Sequence, residues 1–111
     1  MLFRSIGEGN TPAVLGGEHT ISYETFKAVP KDCALIIFDA HADLRDEFAD
    51  VKFSHTTWLR RLIDERSDLN IIHIGLRAAT REEILYLTKE KTKVDSKRKQ
   101  SNFQRILWKY R

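Results

Sequence analysis

The chain has one cysteine, two prolines and five glycines among 111 residues, and each scarcity excludes something. Cys33 has no partner within the chain, so no intramolecular disulfide framework supports the fold. A lone thiol suits a reducing compartment, and the expectation is a cytoplasmic protein. So few glycines and prolines exclude a collagen-like chain or a flexible linker. No apolar run approaches the roughly 18–20 residues that cross a bilayer, so no membrane association is expected. The N-terminus lacks the basic stretch and apolar core of a secretory signal, so none is expected. The length suits one small domain and not two.

What is present is an ordinary globular balance, 41% hydrophobic and 32% charged. The formal net charge of +3 hides an uneven distribution. Residues 1–90 carry 11 basic and 15 acidic side chains, whereas residues 91–111 carry 8 basic ones and only Asp95. The chain therefore divides into an acidic domain over 1–90 and a basic tail over 91–111.

Within 1–90, short apolar runs alternate with helical periodicity. Pro12–Leu15 is an apolar run ending at Gly16-Gly17, which reads as a buried strand entering a tight turn. Ile21, Thr25, Ala28 and Val29 follow at helical spacing, and Pro30 closes that helix. Ala34–Phe38 is apolar without interruption, the pattern of a central parallel strand covered on both faces. Residues 40–52 are charged and without period, as in a loop. Trp58, Leu59, Leu62 and Ile63 form the inner face of a helix over about Thr56–Glu65. A third strand is expected over Asn70–Gly75, then a helix over Arg81–Lys89 with Thr80 as N-cap. Three alternations of strand and helix predict an α/β fold, a parallel sheet with flanking helices. Met1–Asn10 specifies no clear element. In the tail, Phe103, Ile106, Leu107 and Tyr110 could line one face of a short helix, but a solvated or partly disordered end is the preferred reading.

The chemistry concentrates at Asp39-Ala40-His41-Ala42-Asp43, directly after the strand Leu35–Phe38. Alternate residues of an extended segment point the same way. Asp39, His41 and Asp43 would thus project two carboxylates and an imidazole into one space. That space lies at the C-terminal end of a strand, where open α/β sheets place their ligands. Such donors at alternate positions predict a metal site. His19, after Gly16-Gly17 at the end of the preceding expected strand, is placed to reach the same cavity. Each acidic residue taken singly would read as a cap or a solvated loop charge; the spacing of all three carries the metal reading.

Leu15-Gly16-Gly17-Glu18-His19-Thr20-Ile21-Ser22 and Phe38-Asp39-Ala40-His41-Ala42-Asp43-Leu44-Arg45-Asp46-Glu47 resemble the first two signature motifs of the ureohydrolase (arginase/agmatinase) family. Ser54–Arg61 and Ile74–Arg77 also fit, so the resemblance covers about residues 11–90, and it looks most like the archaeal-type agmatinases. It implies a three-layer arginase-like α/β fold, a binuclear Mn²⁺ centre and hydrolysis of a guanidino compound to urea and an amine. It further implies that His19, Asp39 and Asp43 ligate one metal. His41 would ligate the other, Asp39 would bridge both, and His55 would shuttle protons or place the substrate. Divalent ions make water nucleophilic at neutral pH, which the poorly electrophilic guanidinium carbon demands. Carboxylate and imidazole donors suit Mn²⁺, although raw affinity would favour zinc or nickel. Ala42 stands where the zinc deacetylases of similar fold carry a second histidine, which argues against them. Arg45 stands where arginases carry an asparagine that holds the amino-acid end of arginine, so agmatine is the expected substrate rather than arginine.

The family's third motif, Ser-x-Asp-x-Asp, has no counterpart here: Asp95 is the only acidic residue after Glu90. The resemblance also implies a chain well over twice this length. A fragment carrying four of six metal ligands is therefore expected, with a last segment that is non-native or disordered. Three functions follow. One is a Mn²⁺-dependent agmatinase-like enzyme that works as a homo-oligomer. Another is an inactive metal-binding fragment or subunit-associating pseudo-enzyme. The last and least favoured is nucleic-acid binding by the tail through Lys97–Lys99 with Trp108 and Tyr110. His73 and Trp58 read as core residues, Cys33 as chemically idle, and Asp46 and Glu47 as solvated loop charges.

Overall fold

A computed structural model describes residues 2–90. The basic tail, with its expected amphipathic face at Phe103, Ile106, Leu107 and Tyr110, lies outside the described residues. The elements in order are α1 (Leu2–Gly7), α2 (Thr20–Lys27), β1 (Ala34–Phe38), α3 (Trp58–Glu65), β2 (Asn70–Ile74) and α4 (Arg81–Glu90). Helix α1 occupies the stretch where the patterning specifies no element. The two strands pair in parallel, in a register running from Ala34 opposite Asn70 to Phe38 opposite Ile74. This is the parallel sheet with flanking helices that the alternation predicts, with β1, α3 and β2 forming its crossover unit.

The core lies on one face of the sheet. Leu35 and Ile37 point into it, against Trp58, Leu59 and Leu62 of α3, Tyr23 of α2, and Leu44, Leu69 and Leu76 from the loops. The expectation that β1 is covered on both faces is met on one only: Ile36 and Phe38 point the other way and are 52% and 77% exposed among the described residues. Period-two geometry makes this an all-or-none division, because odd and even residues cannot share a face.

Residues 12–15 differ from expectation. They form no strand, and Leu15 is 96% exposed. Pro12 has no N–H to give a ladder. The only sheet among the described residues is the two-stranded β1–β2 pair, which this segment does not join. Without a ladder and a covered face, an apolar run does not offset the entropy of being straightened.

Helix α2 begins after His19, which sits at the N-cap without using its side chain there, leaving the imidazole free for other partners. It packs on α3 through polar as well as apolar contacts. The Tyr23 hydroxyl donates to Glu65 of α3, and Lys27 reaches the same carboxylate at 3.2 Å. The Tyr23 hydrogen bond, helped by Lys27 and opposed by burial, holds the Glu65 carboxyl below its ordinary 4.5. Helix α4 begins with a reciprocal cap. The Thr80 hydroxyl accepts the Glu83 N–H at 3.3 Å, and a Glu83 carboxylate oxygen accepts the Thr80 N–H at 2.7 Å.

Leu62 is fully buried, so Leu62→Ala is expected to cost about 3 kcal/mol. Phe38→Ser on the bare face is expected to stay within about 0.5 kcal/mol. Urea denaturation followed by circular dichroism compares the two. A depressed carboxyl contributes stability above its unfolded pKa and loses it as pH falls through the folded one. Wild type is therefore expected to exceed Glu65→Gln in Tm at pH 7, with the gap closing below about pH 4.5.

Candidate metal centre

The strand ends are stitched together beyond the sheet. The Asp39 N–H donates to the Ile74 carbonyl at 3.1 Å, and the Ala40 carbonyl accepts from both Arg77 and Ala78 at 2.9 Å. The Ala42 N–H then donates to Ala78 at 3.1 Å. Gly75 makes the turn with φ at +93°, a conformation L side chains rarely adopt, and a Cβ there would lie 3.4 Å from the Asp39 carbonyl. That same carbonyl meets Nε2 of His73 at 3.1 Å. Burial pushes the His73 pKa down, and the Asp39 carbonyl offsets this only in part, so the ring is neutral at pH 7. His73 is thus a core histidine, as expected, and it braces the backbone of a site residue.

On this platform three side chains converge. His19 Nδ1 lies 2.9 Å from Asp39 Oδ2 and 3.2 Å from Asp43 Oδ2. One donor atom from each of the three lies within 4.8 Å of the others, a spacing that could hold one metal ion. His41 stands apart from this trio. Its ring faces the other oxygen of Asp39, with Nδ1 3.4 Å from Oδ1, and is largely exposed. Asp39 and Asp43 meet at His19, as the alternation expects, but His41 is not part of that group; Asp43 takes φ +53°. Asp39 nevertheless presents one oxygen to His19 and the other to His41. Burial alone would raise the Asp39 pKa. The His41 N–H, the His19 imidazole and the Ala40 N–H outweigh it and hold the carboxyl below 3.8, so it is an anion at neutral pH.

His55 lies off the cluster. Its Nδ1 is 3.7 Å from Glu18, and its ring meets Phe48 edge-on at 6.0 Å. Glu18 immediately precedes His19, so the pair sits beside the cluster along the chain. Asp46, expected as a solvated charge, is instead paired with Arg61, with Arg60 at 3.6 Å; together they hold its carboxyl low.

Two supporting residues carry no metal-ligand signature in the sequence. Trp58 reads there as core, and it is buried, but its Nε1–H also donates to Asp43 Oδ2 at 2.8 Å, and its ring meets His19 edge-on at 5.5 Å. Glu83 is 4% exposed and accepts the Leu44 N–H at 2.9 Å, directly after Asp43. The Thr-x-x-Glu spacing at residues 80–83 could have assigned Glu83 to the cap; no local pattern points it toward Leu44. The donor set fits a hard divalent ion, since it contains carboxylates and imidazole, no thiolate, and a buried indole donor that orients one carboxylate.

The fold and this cluster define an α/β domain with a carboxylate–imidazole site at the C-terminal ends of parallel strands. The arginase family model matches residues 2–106, and the chain belongs to the arginase family. It is 39% identical over 84 residues to an agmatinase of Halalkalibacterium halodurans, covering 73% of this chain and 29% of that one. It is 37% identical over 84 residues to an agmatinase of Pyrococcus horikoshii, covering 75% and 28%. Among solved structures, the agmatine ureohydrolase of Thermoplasma volcanium matches with a TM-score of 0.70 at 37% identity, covering 75% of this chain and 28% of that one. The chain therefore spans under a third of the length of these relatives.

The Trp58–Asp43 contact is testable by a double-mutant cycle of Trp58→Phe and Asp43→Ala. A coupling of about 1–2 kcal/mol is expected in urea denaturation; additive losses would mean that the indole only packs.

Proposed function

We propose that this chain carries part of the Mn²⁺ centre of an agmatinase-like ureohydrolase, which releases urea from agmatine. The observation that supports this most directly is the convergence of His19, Asp39 and Asp43 at the end of β1, in a chain of the arginase family. In this reading these three residues would hold one ion, and His41 with Asp39 would help to hold a second. Bound ions would supply Lewis-acid activation of water.

The remaining work falls to the chain's own groups. In this reading His55, 3.7 Å from Glu18, would take or give a proton or orient the substrate. On the same reading the protein works as a cytoplasmic homo-oligomer, and the exposed Ile36 and Phe38 face is open to further polypeptide.

A second reading is favoured by one observation, the absence of a Ser-x-Asp-x-Asp motif from the sequence. Here the chain binds metal without turning over substrate by itself. Calorimetric titration with Mn²⁺ and a urea assay with agmatine separate the two. The chain is expected to bind Mn²⁺, and Asp39→Asn to lose that binding. Urea release that disappears in His41→Ala establishes hydrolysis. Binding without urea release selects the second reading. No Mn²⁺ binding by the unaltered chain overturns both.

A further inference from the structure

The loop that bears Asp43 has no regular secondary structure, yet its backbone is pinned at nearly every step. The Asp43 carbonyl accepts the Arg60 N–H at 3.4 Å, and the Arg45 N–H donates to Thr56 at 3.2 Å. Two further amides are taken by consecutive carboxylates in the first turn of α4. Glu83 accepts the Leu44 N–H at 2.9 Å and Glu82 accepts the Asp46 N–H at 3.2 Å. The two are not equivalent. Glu82 is exposed and shares its charge with Arg60. Glu83 is buried, and its carboxylate receives three donors: Leu44 N–H on one oxygen, Thr80 N–H and Thr80 O–H on the other.

A buried carboxylate satisfied this way is rigid, because every alternative rotamer strands a donor or a charge. Asp43 needs such rigidity. At φ +53° it sits in the left-handed region, which aspartate tolerates better than most residues but which its surroundings must still select over the right-handed one. The Leu44 amide is the next backbone donor along the chain, so holding it fixes the peptide that sets the Asp43 turn.

We infer that Glu83 is a positioning residue for the metal centre: through the Leu44 amide it keeps Asp43 in the left-handed turn that aims its carboxylate at His19 and Asp39. Helix α4, which supplies no ligand, thereby sets the geometry of one. The inference rests on the metal reading above, and the test separates the two failures.

Mn²⁺ affinity is measured by calorimetry for the 111-residue chain and three variants, with circular dichroism reporting fold. Glu83→Ala is expected to bind Mn²⁺ about tenfold or more weakly. Glu83→Gln, which keeps an oxygen for the Leu44 N–H, is expected to retain most of the affinity. Thr80→Ala removes half of the cap while leaving the Leu44 contact, so it is expected to lower Tm with affinity unchanged. Wild-type affinity in folded Glu83→Ala overturns the inference, and so does an equal loss in Thr80→Ala, which would make the effect one of helix stability. Should Glu83→Ala not fold, amide exchange in the unaltered chain decides: Mn²⁺ must slow the Leu44 amide, and unchanged exchange overturns the role of Glu83. Failure of the unaltered chain to bind Mn²⁺ is a failure of the metal reading itself.

Discussion

The site depends on the parallel pairing of β1 with β2 and on its continuation past the ends of both strands. A two-stranded parallel ladder is a weak object alone. Here the hydrogen bonds continue from Asp39 through Ala42 to the segment Ile74–Ala78, where regular strand geometry has already ended. That extension fixes where the chain leaves the sheet, and hence where Asp39 begins. His73 and Gly75 belong to the same device. One contacts the Asp39 carbonyl, and the other turns the chain beside it at φ +93°.

Packing and polar chemistry are not separate layers in this molecule. Trp58 is among the most deeply buried residues of the core, yet its single polar atom is spent on a site carboxylate. Glu83 caps a helix with one oxygen and braces the site loop with the other. Each of these side chains anchors its functional contact in well-packed structure, which limits how far Asp43 can stray.

Much of this was legible in the sequence. The apolar run at Leu35–Ile37 and the periodicity at Trp58–Leu62 located β1 and α3 because burial on one face writes itself into local spacing. The motif around Asp39 marked the site for the same reason: ligand-type residues crowded at a strand end. Two kinds of feature escaped. Pro12–Leu15 has the composition of a strand, but pairing is a property of two segments, and no second segment is visible from one. His41 falls outside the trio although it alternates with Asp39 and Asp43, and Asp43 itself takes a left-handed conformation that aspartate tolerates but does not announce. The reach of Glu83 to Leu44 spans 39 positions and has no periodicity to reveal it.

The indole of Trp58 has one more consequence. It touches Asp43 through its N–H and His19 through its ring, so two of the three converging side chains adjoin one chromophore. The electric field across this buried indole is therefore set in large part by Asp43 and His19, which makes Trp58 the core residue most exposed to whatever those two side chains experience.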